Sequence, residues 1–160
     1  MSYRNVHISS AAALVLSLLG TAFFAMGRIM FGAGGWMVLF SLPVGLIVAV
    51  SLIGLWCIPV RSVKERPYKT FGWRESWAFI AMTVFLFLAG FFIVDGGDTQ
   101  ESVKSAFTVF VGREALELSS ILFLLCGLGV IVSYIVGVVV AVIGRRDAAK
   151  ERTSLSGSAD

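Results

Sequence analysis

Apolar residues in this chain gather into four unbroken blocks, where a half-buried helix or strand would space them at about 3.6 or 2 residues. The blocks cover 8–27, 36–60, 77–94 and 119–144, and none of them contains Asp, Glu, Lys, Arg or His. A hydrocarbon core about 30 Å thick takes about 20 helical residues, and a charge at its centre costs about 3 kcal/mol. All four blocks meet both conditions, the third being the shortest. The pattern predicts an all-α integral membrane fold: a four-transmembrane-helix bundle of two antiparallel hairpins over 1–146, followed by a flexible tail over 147–160.

The connections differ in kind. Residues 28–35 are few and Gly-rich, which predicts a tight turn between the first two spans. After a turn at Asp95-Gly96-Gly97-Asp98, Val103, Ala106, Phe107, Phe110 and Val111 recur at helical spacing, with Lys104, Ser105, Thr108 and Arg113 opposite. That alternation predicts a short amphipathic helix on the outer membrane surface, its polar side toward water. Pro43 lies inside the second block and is read as a packing kink, while Pro59 helps end that helix.

Charge sets the orientation. Arg4, the group Arg61, Lys64, Arg66, Lys69 and Arg74, and the group Arg145, Arg146, Lys150 and Arg152 all fall on one side of the four spans. The other side keeps Arg28, Lys104 and Arg113, together with the acids Asp95, Asp98, Glu101, Glu114 and Glu117. Because loops rich in Lys and Arg stay in the cytoplasm, both termini and the middle loop are expected there, in a multi-pass protein of the cell membrane. The first block, following a single Arg, is read as a retained span. Trp36 on one side and Trp56, Trp73 and Trp77 on the other fall at the expected headgroup levels.

Composition agrees with this picture: 58% of the 160 residues are hydrophobic and 14% charged. A soluble domain carries about a quarter charged residues. The net charge of +3 is accounted for by topology, with no basic helix or aromatic-basic interleaving to bind nucleic acid. The cations Arg61, Lys64, Arg66, Lys69 and Arg74 are candidate contacts for anionic lipid headgroups.

Small residues recur at every fourth position in three of the blocks: Ser9, Ala13, Ser17, Thr21 and Ala25; Ser41, Gly45 and Ala49; Gly129, Ser133, Gly137 and Ala141. Lipid supplies no hydrophobic drive for helix association, so such faces pack by close backbone approach. They are candidate surfaces for packing within the bundle or for binding another subunit. In the third block Phe79, Phe85, Phe87, Phe91 and Phe92 are spread around the helix, which suits contact with lipid or a bulky partner.

Residues for chemistry are scarce. A single histidine, His7, cannot supply both axial ligands of a bis-histidine haem. Cys57 and Cys126 lie roughly 20 Å apart in depth on the predicted spans, too far for a disulfide. Asp95, Asp98 and Glu101 do not follow an EF-hand spacing and read as a solvated acidic loop. Glu114 and Glu117 suit the positive end of the fourth helix. Tyr134, Ser133 and Thr83 are the notable polar groups at depth, and no ionisable residue accompanies them to carry an ion or proton.

These absences predict no catalytic residue, no metal and no cofactor. The expected function is a non-catalytic structural or accessory subunit of a larger membrane assembly, whose partners are membrane lipids and another membrane subunit or a second copy. The alternative is a transport component, either a homo-oligomeric pore or the small membrane subunit of a carrier. A lipid- or quinone-active enzyme ranks behind both.

Overall fold

The computed structural model describes residues 8–63, 71–96 and 103–156, by backbone alone at 61–63 and 145–156. It is a multi-pass helical membrane protein with four helices long and apolar enough to cross a bilayer. In chain order α1 is Ser10–Met26, α2 Met37–Val63, α3 Trp73–Phe92, α4 Ala106–Val111 and α5 Leu116–Ser156. Short 3-10 turns at Gly27–Phe31 and Arg113–Ala115 close α1 and open α5. The end of the bundle holding Gly27–Phe31 and α4 is called the Arg28 end, and the opposite one the Trp56 end.

Local chemistry explains where each helix starts. Ser9 accepts a hydrogen bond from the Ala12 N–H at 3.1 Å and so caps α1. Glu75 reaches back to accept from the Gly72 N–H at 2.7 Å. This lets α3 begin at Trp73 and not at 77, and carries Arg74 and the buried Glu75 into the helix. At the other extreme α5 continues through Ser156, into the segment expected to be a flexible tail. Arg145 to Arg152 are, apart from Asp147, strong helix formers, and a helix already nucleated inside the bundle needs little more to propagate.

The helices pack in the cyclic order α1, α2, α5, α3. The hairpins α1–α2 and α3–α5 therefore lie side by side, with α1 beside α3 and α2 beside α5. Each of these four contacts has a glycine at a point of close approach. A Cβ on Gly45 of α2 would stand 3.0 Å from Ala25, and one on Gly90 of α3 would stand 2.7 Å from the Phe24 backbone. A Cβ on Gly129 of α5 would stand 2.6 Å from the Phe85 ring, and one on Gly137 would stand 3.1 Å from Leu55. Absence of side chains there is what lets the helices come together without a hydrophobic drive.

The small-residue stripes turn inward. Ala13, Ser17, Thr21, Ala25, Ser41, Gly45, Ser133, Gly137 and Ala141 are buried, Ala49 and Gly129 half-buried, and Ser9 exposed at its cap. Hydroxyls within α1 bond back to their own helix, Ser17 to the Ala13 carbonyl and Thr21 to that of Ser17, both at 2.8 Å. The Phe-rich third helix, expected to meet lipid or a bulky partner, packs on two neighbours within the chain. Of the four spans α3 is the most enclosed, 44% of its window being buried against 22% for α2 and α5. Phe79 lies in the core, Phe85, Phe91 and Phe92 are half-buried, and Phe87 stacks on Phe23 at 3.7 Å while remaining exposed.

A core of Ala13, Leu52, Leu55, Phe71, Phe79, Met82, Leu86 and Ala141 occupies the half of the bundle toward the Trp56 end. Backbone at that end is tied by three bonds: Trp56 Nε1 to the Ser10 carbonyl at 2.7 Å, Ile8 N to Ser76 Oγ at 3.2 Å and Phe71 N to the Ile8 carbonyl at 3.1 Å.

Gly90→Val must push α1 from α3 and is expected to lower stability by about 1–3 kcal/mol in detergent-based equilibrium unfolding. Gly54→Ala, where a Cβ meets nothing within 4 Å, should leave the transition unmoved.

Candidate functional site

The feature that sequence reasoning missed lies at the Arg28 end. Arg28 appeared as a leftover cation of the first turn and Asp95 as part of a solvated acidic loop. In the structure both side chains are buried, at 0% and 1% exposure. Arg28 Nε lies 3.1 Å from Asp95 Oδ2. The 3-10 turn at the end of α1 carries Arg28, and α3 stops at Phe92 just before Asp95, so the two side chains meet at one end of the bundle.

Each charge is then held by further groups. Arg28 Nη2 donates to Ser41 Oγ at 2.8 Å, and that hydroxyl lies 2.9 Å from the Ala25 carbonyl and 3.0 Å from that of Val38. Asp95 accepts from the Gly35 N–H and the Met37 N–H, both at 2.8 Å. Met37 is the first residue of α2, so the carboxylate sits at the positive end of that helix dipole. Trp36 N adds a bond to the Gly96 carbonyl at 3.2 Å, and Asp95 and Lys104 exchange a pair of backbone hydrogen bonds at 2.9 and 3.2 Å.

Gly35 is fixed by this crowding. A Cβ there would stand 2.5 Å from the Gly96 carbonyl oxygen and 2.7 Å from Asp95 Oδ1. Arg28 Nη1 has no hydrogen-bond partner among the described residues, and Nε meets Asp95 as an ion pair without hydrogen-bond geometry. Arg28 thus joins the end of α1, the start of α2 and the exit from α3 through one neutralised pair. As chemistry the site can hold charge and orient helices. It holds no nucleophile beside a base, and a buried Arg cannot act as a proton carrier near neutral pH.

A second arrangement lies midway along the bundle. Between α2 and α5 a groove of about 200 Å³ is lined by Ile47, Val48, Ser51, Leu52, Met82, Val130, Ile131 and Tyr134. Its walls are apolar except for the half-buried Tyr134 and Ser51, whose hydroxyl bonds to the Ile47 carbonyl at 2.9 Å. Thr83 likewise bonds to the Phe79 carbonyl, again on its own helix.

Of the candidate lipid-binding cations, Arg74 is exposed at the Trp56 end, its guanidinium carbon 5.3 Å from the centroid of Trp73. Lys64, Arg66 and Lys69 lie outside the described residues, as do His7, Asp98, Glu101 and the side chain of Arg61. A cavity of about 150 Å³ beside Arg74 is lined by Gly72, Trp73, Glu75, Val140, Ile143 and Gly144. Both cysteines are free, Cys57 exposed and Cys126 buried. Among the described residues no group of three potential metal ligands gathers.

Comparison with models of known families, with curated proteins and with solved structures returns no match to this chain.

Removing one member of the buried pair strands the other. Asp95→Ala also removes the acceptor for two backbone N–H groups, and should lower stability by about 3–5 kcal/mol. Arg28→Met combined with Asp95→Asn is expected to cost less than the sum of the two single changes, measured as a double-mutant cycle by unfolding in mixed micelles.

Proposed function

We propose that this chain is a non-catalytic accessory subunit of a larger membrane assembly. In this reading the Arg28 end faces outward and both termini are cytoplasmic. The observation that carries the reading is the uneven use of the four helices. Small-residue faces and buried charges are spent inside the bundle, while α2 and α5 leave most of their spans uncovered. On α2 this face includes Leu46, Ile47, Val50 and Ile53, and on α5 Leu128, Ile131, Val132 and Ile135. The docking surface is accordingly assigned to these bulky aliphatic faces and not to the small-residue stripes.

Polar groups at depth support the same reading. Ser17, Thr21, Ser51 and Thr83 hydrogen-bond to their own helices, and the charged pair is confined to one end. A permeating ion needs a continuous set of polar or charged groups to replace its hydration shell. The second reading, a small subunit of a carrier, is favoured by the open groove between α2 and α5 with Tyr134 in its wall. In that case the transport path is completed by a partner.

Purification in mild detergent followed by mass measurement is expected to recover the chain with a second membrane protein or with copies of itself. A monodisperse monomer with no companion overturns the accessory reading. Val50→Trp and Val132→Trp should each reduce recovery of the complex at least about tenfold, as expected of interface hot-spot positions, with the unfolding transition unchanged. In proteoliposomes the chain alone is expected to conduct neither ions nor solutes. A C-terminal tag should resist a membrane-impermeant reagent in intact cells.

A further inference from the structure

The helix α4 forms where the sequence predicts a short amphipathic helix, but two residues of its polar side turn inward while part of its apolar side stays uncovered. Ser105 and Thr108, expected to face water, are buried against the bundle, and Ala106 beside them is 0% exposed. Val109, Phe110 and Val111 point away from the bundle, with Phe110 67% exposed.

Hydrogen bonding explains why the polar side turns inward. Ser105 Oγ and Ser119 Oγ share a bond at 2.8 Å, and Ser119 donates to the Phe92 carbonyl, the last of α3, at 2.8 Å. Ser105 and Thr108 cap each other's backbone, the Ser105 N–H to Thr108 Oγ1 at 2.8 Å and the Thr108 N–H to Ser105 Oγ at 3.1 Å. At the far end the Gly112 N–H closes on the Thr108 carbonyl at 3.0 Å, and Gly112 takes φ 110°, a turn that suits glycine. These polar groups of the segment are therefore satisfied without water, as non-helical backbone at membrane depth requires.

Ring contacts fix the level at which α4 lies. Phe110 stacks on Phe91 at 6.2 Å and meets Phe31 edge-on at 5.6 Å. Both partners belong to membrane-spanning segments, Trp73–Phe92 and Ser10–Phe31. The segment thus lies beside the last turn of α3 and not above it. Its outward face runs on into Ile29 and Met30, the latter 82% exposed, on the adjoining 3-10 turn. Directly after Gly112 the exposed Glu114 marks the return to a polar level.

We infer that α4 is immersed in the lipid leaflet at the Arg28 end, with Val109, Phe110 and Val111 in contact with phospholipid acyl chains. Continuity with the lipid-facing surface of the first span selects acyl chains as the occupant. The immersed helix anchors the exit from α3 that carries Asp95, and so sets the depth of the Arg28–Asp95 pair. This does not depend on the accessory-subunit reading.

Nitroxide labels at Val109→Cys and Val111→Cys, in a chain also carrying C57S and C126A, test the inference. The reconstitution uses vesicles of phosphatidylcholine and phosphatidylglycerol, with Glu114→Cys as the control. Collisions with oxygen are expected to exceed those with a water-soluble nickel complex several-fold at 109 and 111, and the order should reverse at 114. Dominant nickel collisions at 109 and 111 would place that face in water and overturn the inference. Exclusion of both reagents, with the chain alone in the vesicle, would assign the face to a second copy and overturn it equally. Should the cysteine variants fail to fold, a diazirine phospholipid applied to the unaltered chain gives the same answer. Crosslinks mapped by mass spectrometry to 109–111 are expected, and crosslinks that avoid α4 while marking α2 and α5 refute it.

Discussion

Burying Arg28 against Asp95 is the constraint on which the Arg28 end of this bundle depends. Two charges taken from water cost several kcal/mol each, and their mutual attraction offsets this only when the remaining lone pairs and protons are also used. Here Ser41, the Gly35 N–H and the Met37 N–H supply most of those partners, leaving Arg28 Nη1 without one among the described residues. The pair can exist only if the turn after α1, the first turn of α2 and the exit from α3 all converge. The first turn and the start of α2, neighbours in sequence, are thereby held to the distant exit from α3 in one geometry, and Gly35 must remain without a side chain to allow it.

Around that fixed end the rest of the packing follows a division of labour. Toward the Trp56 end an aliphatic and aromatic core centred on Leu52, Leu55, Phe79 and Met82 fills the interior. Toward the Arg28 end the interior holds small residues and the ion pair, with half-buried and exposed phenylalanine rings along its edge. Rings of Phe23, Phe31, Phe87, Phe91 and Phe110 form one connected set there, joining α1, α3 and α4. Bulky aromatics and glycines answer each other across the helix contacts, as at Gly129 and Phe85.

Function is read from what this arrangement leaves over. Because the small-residue faces meet inside the chain, a partner would have to use the aliphatic outer faces of α2 and α5, where the groove beside Tyr134 also opens. Lipid can cover such a face as well as protein can. The assembly state is therefore the measurement that discriminates between the accessory reading and a self-sufficient bundle.

Four spans, their approximate limits and the tight first turn were legible in the sequence, since about 20 uncharged residues in a row leave lipid as their only suitable solvent. The stripe Ala13, Ser17, Thr21 and Ala25 was equally visible, because spacing by four fixes a face whatever the neighbours are. Which surface each face meets was not. Helical period places Phe85 and Phe87 on the circumference of α3, but only the packing of α3 against α1 and α5 decides that Phe85 is half-buried and Phe87 stays exposed. Likewise the pattern of α4 separates Ser105 and Thr108 from Phe110 without saying which side is wet. Arg28 and Asp95, 67 positions apart (95 − 28) in segments that read as loops, carry no local signal of their pairing. Local spacing sets the elements, whereas burial of a charge is decided by what else arrives within hydrogen-bond reach, and that belongs to the tertiary structure alone.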